Sequence, residues 1–256
     1  MTDWGKIAGY GAFIAQDPFR IGLHYPAEQR ELGDVRKRIL DIGCGDGLFA
    51  MLLAVQGARV VGYDKAAERI AEATEKAHDA GLPIAFVIAT PATFATTERF
   101  DAATSVMALN YATSHEELAL FFAATCRHLI PGGTFASVVL NPTFAAFGED
   151  LIVRRIHRLS GGDVRMEFYD DGSVTPKFTA IQHQYTRREF EHAAARGGMV
   201  GATWKPLFAA PEALAQRDAE FWRRCHATQP YALFVTRKPL QPTGRPWWGR
   251  RRMANA

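Results

Sequence analysis

The run Ile39-Leu40-Asp41-Ile42-Gly43-Cys44-Gly45-Asp46-Gly47-Leu48-Phe49 constrains the fold more than any other stretch of the chain. An apolar strand signal enters an acidic, glycine-rich turn, and an apolar helical pattern resumes from Leu48 to Ala54. Gly43 and Gly45 permit positive φ and close approach of a ligand to the backbone. The amide end of the following helix faces the same crevice. The segment therefore reads as the nucleoside-binding strand-turn-helix of a doubly wound sheet.

The spacing of the glycines bears on which nucleoside ligand is bound. A dinucleotide fingerprint needs G-x-G-x-x-G, but here the third glycine comes one residue early, at Gly47, and Leu48 takes the reserved place. Carboxylates at Asp41 and Asp46 would repel a pyrophosphate and suit an ammonium-bearing ligand. This favours S-adenosylmethionine over NAD. A second apolar run, Arg59-Val60-Val61-Gly62-Tyr63-Asp64, closes on an acid 19 residues after Gly45, where a carboxylate accepts hydrogen bonds from ribose hydroxyls. An aspartate closing a strand can also simply cap the next helix.

Asp41 to Gly47 resembles motif I of the class I S-adenosylmethionine-dependent methyltransferases, and Tyr63-Asp64 resembles their second motif. Phe100 to Tyr111 is similar to their fourth strand and its active-site end, and Leu129 to Phe135 to the turn into the fifth. Tyr185 to Phe190, Trp204 to Leu207, Phe221-Trp222 and Tyr231 to Thr236 look most like the toxoflavin-synthase-like subgroup of small-molecule methyltransferases. The resemblance implies an α/β fold: a Rossmann-like seven-stranded sheet with helices on both faces and a small cap insertion. It implies S-adenosyl-L-methionine as cofactor, held by Tyr10, Asp41, Gly43, Cys44, Gly45, Asp64, Lys65, Thr90, Val106, Met107 and Tyr111, and it places Phe13 near the cofactor mouth. Where family members commonly carry an adenine-binding acid, this chain has Thr90-Pro91, so adenine recognition is expected to rest more on backbone groups and apolar stacking.

With 256 residues and 48% hydrophobic content, one full core and a single α/β domain are expected. The formal charge is +3, yet Arg237, Lys238, Arg245 and Arg250 to Arg252 put six positive charges in the last twenty residues. The rest holds 24 basic against 27 acidic residues (30 − 6 against 27). A nucleic-acid-binding face is poorly supported by that balance. Cys44, Cys126 and Cys225 are too far apart for a zinc pattern and odd in number, which fits a reducing cytoplasm. No apolar run is long enough to span a bilayer, so no stable membrane association is expected. A small-molecule substrate is the expected partner, and a homodimer is compatible with the sequence.

Helices are expected at Trp4 to Gln16 and His24 to Leu32, joined by Asp17-Pro18. An alternating series follows: strand Arg38 to Ile42, helix Leu48 to Gln56, strand Val60 to Tyr63, helix Ala66 to Ala80, strands Ile84 to Ala89 and Ala102 to Met107, helix Glu116 to Leu129 and strand Phe135 to Leu140. Pro131-Gly132-Gly133 reads as a helix stop. Between Leu140 and helix Arg187 to Arg196 the rhythm breaks, and Asp171-Gly172 between apolar-rich runs signals a hairpin that would cap the substrate. We therefore divide the chain into a domain over 1–238, with its cap insertion at about 142–185, and a basic tail over 239–256. Trp247-Trp248 stand beside three arginines in that tail.

Substrate-side candidates are Asn110, Asn141, Tyr169, Asp170 and His183. Asn141 follows the fifth strand and can both donate and accept, although Asn-Pro also starts turns. His183 could remove an acceptor proton or be a hydrogen-bonded structural histidine. The leading expectation is methyl transfer to nitrogen or oxygen of a small metabolite, in secondary metabolism. The alternatives are intramolecular cyclisation of the cofactor to azetidine-2-carboxylate and methylthioadenosine, and a non-catalytic cofactor-binding subunit.

Overall fold

The computed structural model describes residues 10–240, and side chains from residue 11 on. The strands are β1 (Arg38–Ile42), β2 (Arg59–Asp64), β3 (Ala85–Ile88), β4 (Phe100–Val106), β5 (Leu129–Leu140), β6 (Arg154–Arg158), β7 (Asp163–Phe168), β8 (Phe178–His183), β9 (Val200–Pro206) and β10 (Tyr231–Arg237). Seven of them form the central sheet, in the order β3-β2-β1-β4-β5-β10-β9. The first five are parallel, and β10 lies antiparallel between β5 and β9. The order reverses between β1 and β4, which leaves a crevice at the carboxyl ends of those strands.

Strand alternation divides the core. Ile39 packs with Tyr25 and Leu32 of α2 (Tyr25–Leu32) and Phe49 and Leu53 of α3 (Leu48–Val55), after a short α1 (Tyr10–Ile14). Leu40 and Ile42 face the other way. They join Leu118 and Phe122 of α5 (His115–His128) and Phe190 of α6 (Arg187–Arg196). Helix α4 (Ala67–Asp79) flanks β2 and β3. Helix starts follow the expected chemistry: the Ser114 side chain accepts the Glu117 N–H, and Thr186 with Glu189 forms a reciprocal capping box.

Several elements differ from expectation. Of the helix expected over Trp4 to Gln16, the part before residue 10 lies outside the described residues, as does the tail with Trp247-Trp248. The next helix begins early, through a π-helical turn at Arg20–His24. Pro131-Gly132-Gly133 lies within β5, where the pairing with β4 shifts register, because α5 has already ended at His128. The insertion is a three-stranded antiparallel sheet, β6-β7-β8, with the expected hairpin as two of its strands. Strand β6 was missed because Arg154-Arg155-Ile156-His157-Arg158 is mostly charged, yet Arg154 is fully buried between the Phe168 ring at 4.1 Å and an ion pair with Asp17. Strand β9, α7 (Pro211–Leu214) and α8 (Ala219–Thr228) were likewise not assigned from the sequence.

Candidate functional site

The glycine turn folds over the end of β2. The N–H groups of Gly43 and Cys44 donate to the Tyr63 carbonyl at 2.8 and 3.1 Å. The Gly45 N–H then donates to Asp64 Oδ2 at 3.0 Å, and Asp64 Oδ1 accepts the Ala66 N–H at 2.9 Å. Asp64 is not the cap of α4, whose N-cap is Ala66 without a side-chain bond; its carboxylate instead joins the glycine turn to the turn that leads into α4. The glycines have separate reasons. Gly45 has φ +55° and open space where a Cβ would stand, whereas a Cβ on Gly47, at φ +77°, would come within 2.7 Å of the Phe86 ring and 2.9 Å of Ala73 Cβ. The first keeps the cleft clear, and the second lets α3 start against the β3–α4 layer.

The cleft is open to solvent, with about 1080 Å³ of space over its floor, solvent included. Asp41, Asp64 and Met107, at or near the ends of β1, β2 and β4, line it together with Ala89-Thr90-Pro91, Tyr111, Phe121, Arg20 and Tyr25. The Tyr25 ring stacks on Phe49 at 4.7 Å. Asp41 is buried with Oδ2 unpartnered. Burial first, and then the Asp64 charge, raise its carboxyl to about 7 against an opposing pull from Arg20. Burial raises the Cys44 thiol well above its ordinary value, with the carboxylates of Asp41 and Asp64 adding to the effect, so this cysteine is no thiolate nucleophile. Asp46 departs from the cationic-ligand argument, because its carboxylate is paired with Lys76 at 2.8 Å and Lys76 also meets Glu72 at 2.8 Å. Asp41 is therefore the turn's carboxylate with an unengaged oxygen.

Asp41, Gly43, Cys44, Gly45, Asp64, Lys65, Thr90, Val106, Met107 and Tyr111 all line this cleft. The Tyr10 side chain lies outside the described residues. Thr90 exchanges hydrogen bonds with Thr93, with the hydroxyls 3.1 Å apart. The Tyr111 hydroxyl accepts from Gln182 Nε2 at 2.7 Å.

The substrate-side candidates do not line the cleft. Asn141 is a turn residue: its Nδ2 donates to the Gln229 carbonyl at 2.8 Å, and its Oδ1 accepts from the Thr143 N–H and hydroxyl at 3.0 Å. His183 pairs with Asp163 at 2.9 Å, outside the cleft. Tyr169 and Asp170 instead line a second cavity with Phe13, Asp17 and Lys177. There the Tyr169 hydroxyl donates to Glu167 at 2.6 Å, and Asp170 pairs with Lys177 at 3.0 Å. Asn110 is buried and ties the sheet to the cap, because its Oδ1 accepts the Leu140 N–H and its Nδ2 donates to the His183 carbonyl, both at 2.9 Å. Each candidate was chosen for hydrogen-bonding capacity, and each spends that capacity on a partner within the chain.

Sequence reasoning missed Arg20, Tyr25, Glu117 and Phe121. Glu117 and Phe121 are four apart on α5, a helical spacing that puts both on the cleft side. Arg20 carries no such signal, since the π turn that aims it has no sequence pattern.

Residues 39–133 match a family model described as a methyltransferase domain. A ubiquinone biosynthesis O-methyltransferase of Brucella anthropi is 27% identical over 212 residues, 79% of this chain and 73% of that protein. The enzyme of the same name from a Methylobacterium is 36% identical over 110 residues, so that match spans 43% of each chain. Among solved structures, an S-adenosylmethionine-dependent methyltransferase from Mesorhizobium loti is 22% identical with TM-score 0.62, covering 88% of this chain and 100% of that one. An amino pentose methyltransferase from Micromonospora echinaspora, solved with S-adenosylmethionine bound, is 21% identical with TM-score 0.58, covering 91% and 93%.

Proposed function

From the premise that this chain is a class I S-adenosylmethionine-dependent methyltransferase, we propose that it moves the methyl group to an oxygen or nitrogen of a small metabolite. The observation that carries this reading is the closure of Asp64 on the Gly45 amide beside an open, glycine-lined cleft. Its residues fit the cofactor: Asp64 offers acceptor oxygens to ribose hydroxyls, Asp41 a carboxylate to the ammonium group, and Ala89, Pro91 and Phe121 apolar surface to adenine. When bound, S-adenosylmethionine would supply an electrophilic methyl carbon on a sulfonium. The chain's own task is to hold the acceptor in line and exclude water, and Arg20, Tyr25 and Tyr111 are further side chains that line the cleft. The names of the relatives favour oxygen as the acceptor, and the amino sugar enzyme favours nitrogen. The placement in secondary metabolism remains part of the proposal.

Product analysis tests the reading. S-adenosylhomocysteine formed only with an added phenolic, hydroxylated or amine acceptor supports it. Methylthioadenosine formed from cofactor alone together with an equal amount of azetidine-2-carboxylate would instead establish cyclisation, and tight binding with no product from any acceptor would leave a binding subunit. A [4+2]-cyclase shares the fold, with TM-score 0.56 at 17% identity, so the fold alone does not fix the reaction.

A further inference from the structure

Behind the cleft, three buried oxygens without hydrogen-bond partners lie on one face of the sheet. Asp41 shares the face of Ile39, under α2, because its neighbours Leu40 and Ile42 pack on the opposite side. Thr104 lies opposite Asp41 in the β1–β4 register, between Ala102 and Val106, which pack in that same core, and its hydroxyl has no partner. Glu28 of α2 descends onto this face fully buried. Its Oε1 accepts the Val138 N–H at 2.8 Å, and its Oε2 is unpartnered.

We propose that Glu28 stands as the neutral acid behind Asp41 and positions it, so that an ammonium group entering the cleft meets a carboxylate at Asp41 and binds with release of a proton. The inference rests on the cofactor reading above. Two carboxylates in one dry layer do not both ionise without a cation for each. The groups around Asp41 are Asp64 from β2, Arg20 from the turn before α2, Cys44 and Tyr63 beside it, and Glu28 from α2. Arg20 is the cation among them, and it acts on Asp41. His24, one turn before Glu28, is itself held neutral by burial and by Arg20 and Arg154. Glu28 has the Val138 and Ser105 amides and, among the described residues, no cation acting on it; burial, with the Asp41 charge adding to it, pushes it well above the usual carboxylate range, whereas Asp41 stands near neutrality. The proton therefore stays on Glu28 and leaves Asp41 when a cation arrives. The carboxyl that anchors α2 to β5 is the same one that sets the charge state of the cleft.

Calorimetric titration of the full chain at pH 6.5, in two buffers of different ionisation enthalpy, tests this. S-adenosylhomocysteine, which carries the ammonium group, should release part of a proton, and the release should fall away as the pH is raised past about 7. Methylthioadenosine, which lacks that group, should release none. Asp41→Asn should abolish the release. Glu28→Leu should move its pH midpoint up by about one unit and weaken binding about fivefold at pH 7, and Glu28→Gln, which keeps the acceptor and a neutral donor, should restore both. A midpoint that falls by a unit or more in Glu28→Gln would mean that Glu28 is ionised, and would overturn the proposal. Ligand binding without proton exchange in the unaltered chain would also overturn it, while absence of any binding would contradict the cofactor reading itself. If Glu28→Leu does not fold, Glu28→Gln and Asp41→Asn decide.

Discussion

Asp64 and Gly45 meet by a 3.0 Å hydrogen bond from the glycine N–H to the carboxylate, across 19 residues of sequence. One oxygen thereby fixes the turn while the other holds the Ala66 amide, so the carboxylate is locked in position before any ligand arrives. On the cofactor reading proposed above, a ribose would meet an acceptor whose ordering entropy is already spent.

Replacing that acid should be costly for binding. Asp64→Ala is expected to weaken cofactor affinity by about 1.5–3 kcal/mol, the usual worth of hydrogen bonds to a charged group. Calorimetry with S-adenosylhomocysteine reads the change directly. Asp64→Asn, which still accepts through one oxygen, should lose less.

Gly45 and Gly47 should respond differently to the same substitution. At Gly47 an alanine carries both the left-handed backbone penalty, about 1–2 kcal/mol, and a collision with Phe86 and Ala73. Urea denaturation should show Gly47→Ala as the more destabilised protein. Gly45→Ala has only the backbone penalty, but its methyl group enters the cleft, so its larger loss should be in ligand affinity.

The Arg154–Asp17 pair is buried on both sides, between N-terminal segment and cap. Arg154→Met leaves Asp17 charged, with Arg20 at 3.9 Å as its remaining cation, and should cost about 3–5 kcal/mol. The double variant Arg154→Met with Asp17→Asn should recover part of that loss in the same denaturation assay.

Asp41 sets a pH signature on stability. Its carboxyl is raised from an ordinary 3.8 to about 7 in the folded chain, so the folded state binds the extra proton between those values. Its contribution is fully present below about 4 and is lost as pH rises to 7. Asp41→Asn should flatten that slope and stabilise the ligand-free protein above pH 7 by on the order of 2–4 kcal/mol, while weakening binding of an ammonium-bearing ligand. Thermal unfolding at pH 5 and pH 8 reports the difference.

The glycine-turn side of the cleft was legible because its signals are local. Ile39 to Phe49 and Tyr63-Asp64 announce a strand-turn-helix and a neighbouring strand end by residue type and spacing, and strand order then brings them together at one cleft. The substrate side was not, because hydrogen-bonding capacity says nothing about who uses it. Asn141 spends its amide on the Gln229 carbonyl, 88 residues on, and His183 its ring on Asp163 in the neighbouring strand. Strand β6 escaped detection for a related reason. Its arginine is neutralised and covered by partners remote in sequence, Asp17 and Phe168, so a charged run became interior structure.

Asn110 grips the main chain on both sides of the insertion, at Leu140 before it and His183 near its end. Neither grip reads a side chain. An exchanged insertion of other sequence could dock on the same amide if it returned a free carbonyl to that spot, while the glycine turn and its cleft, which no residue of the insertion lines, stay as they are.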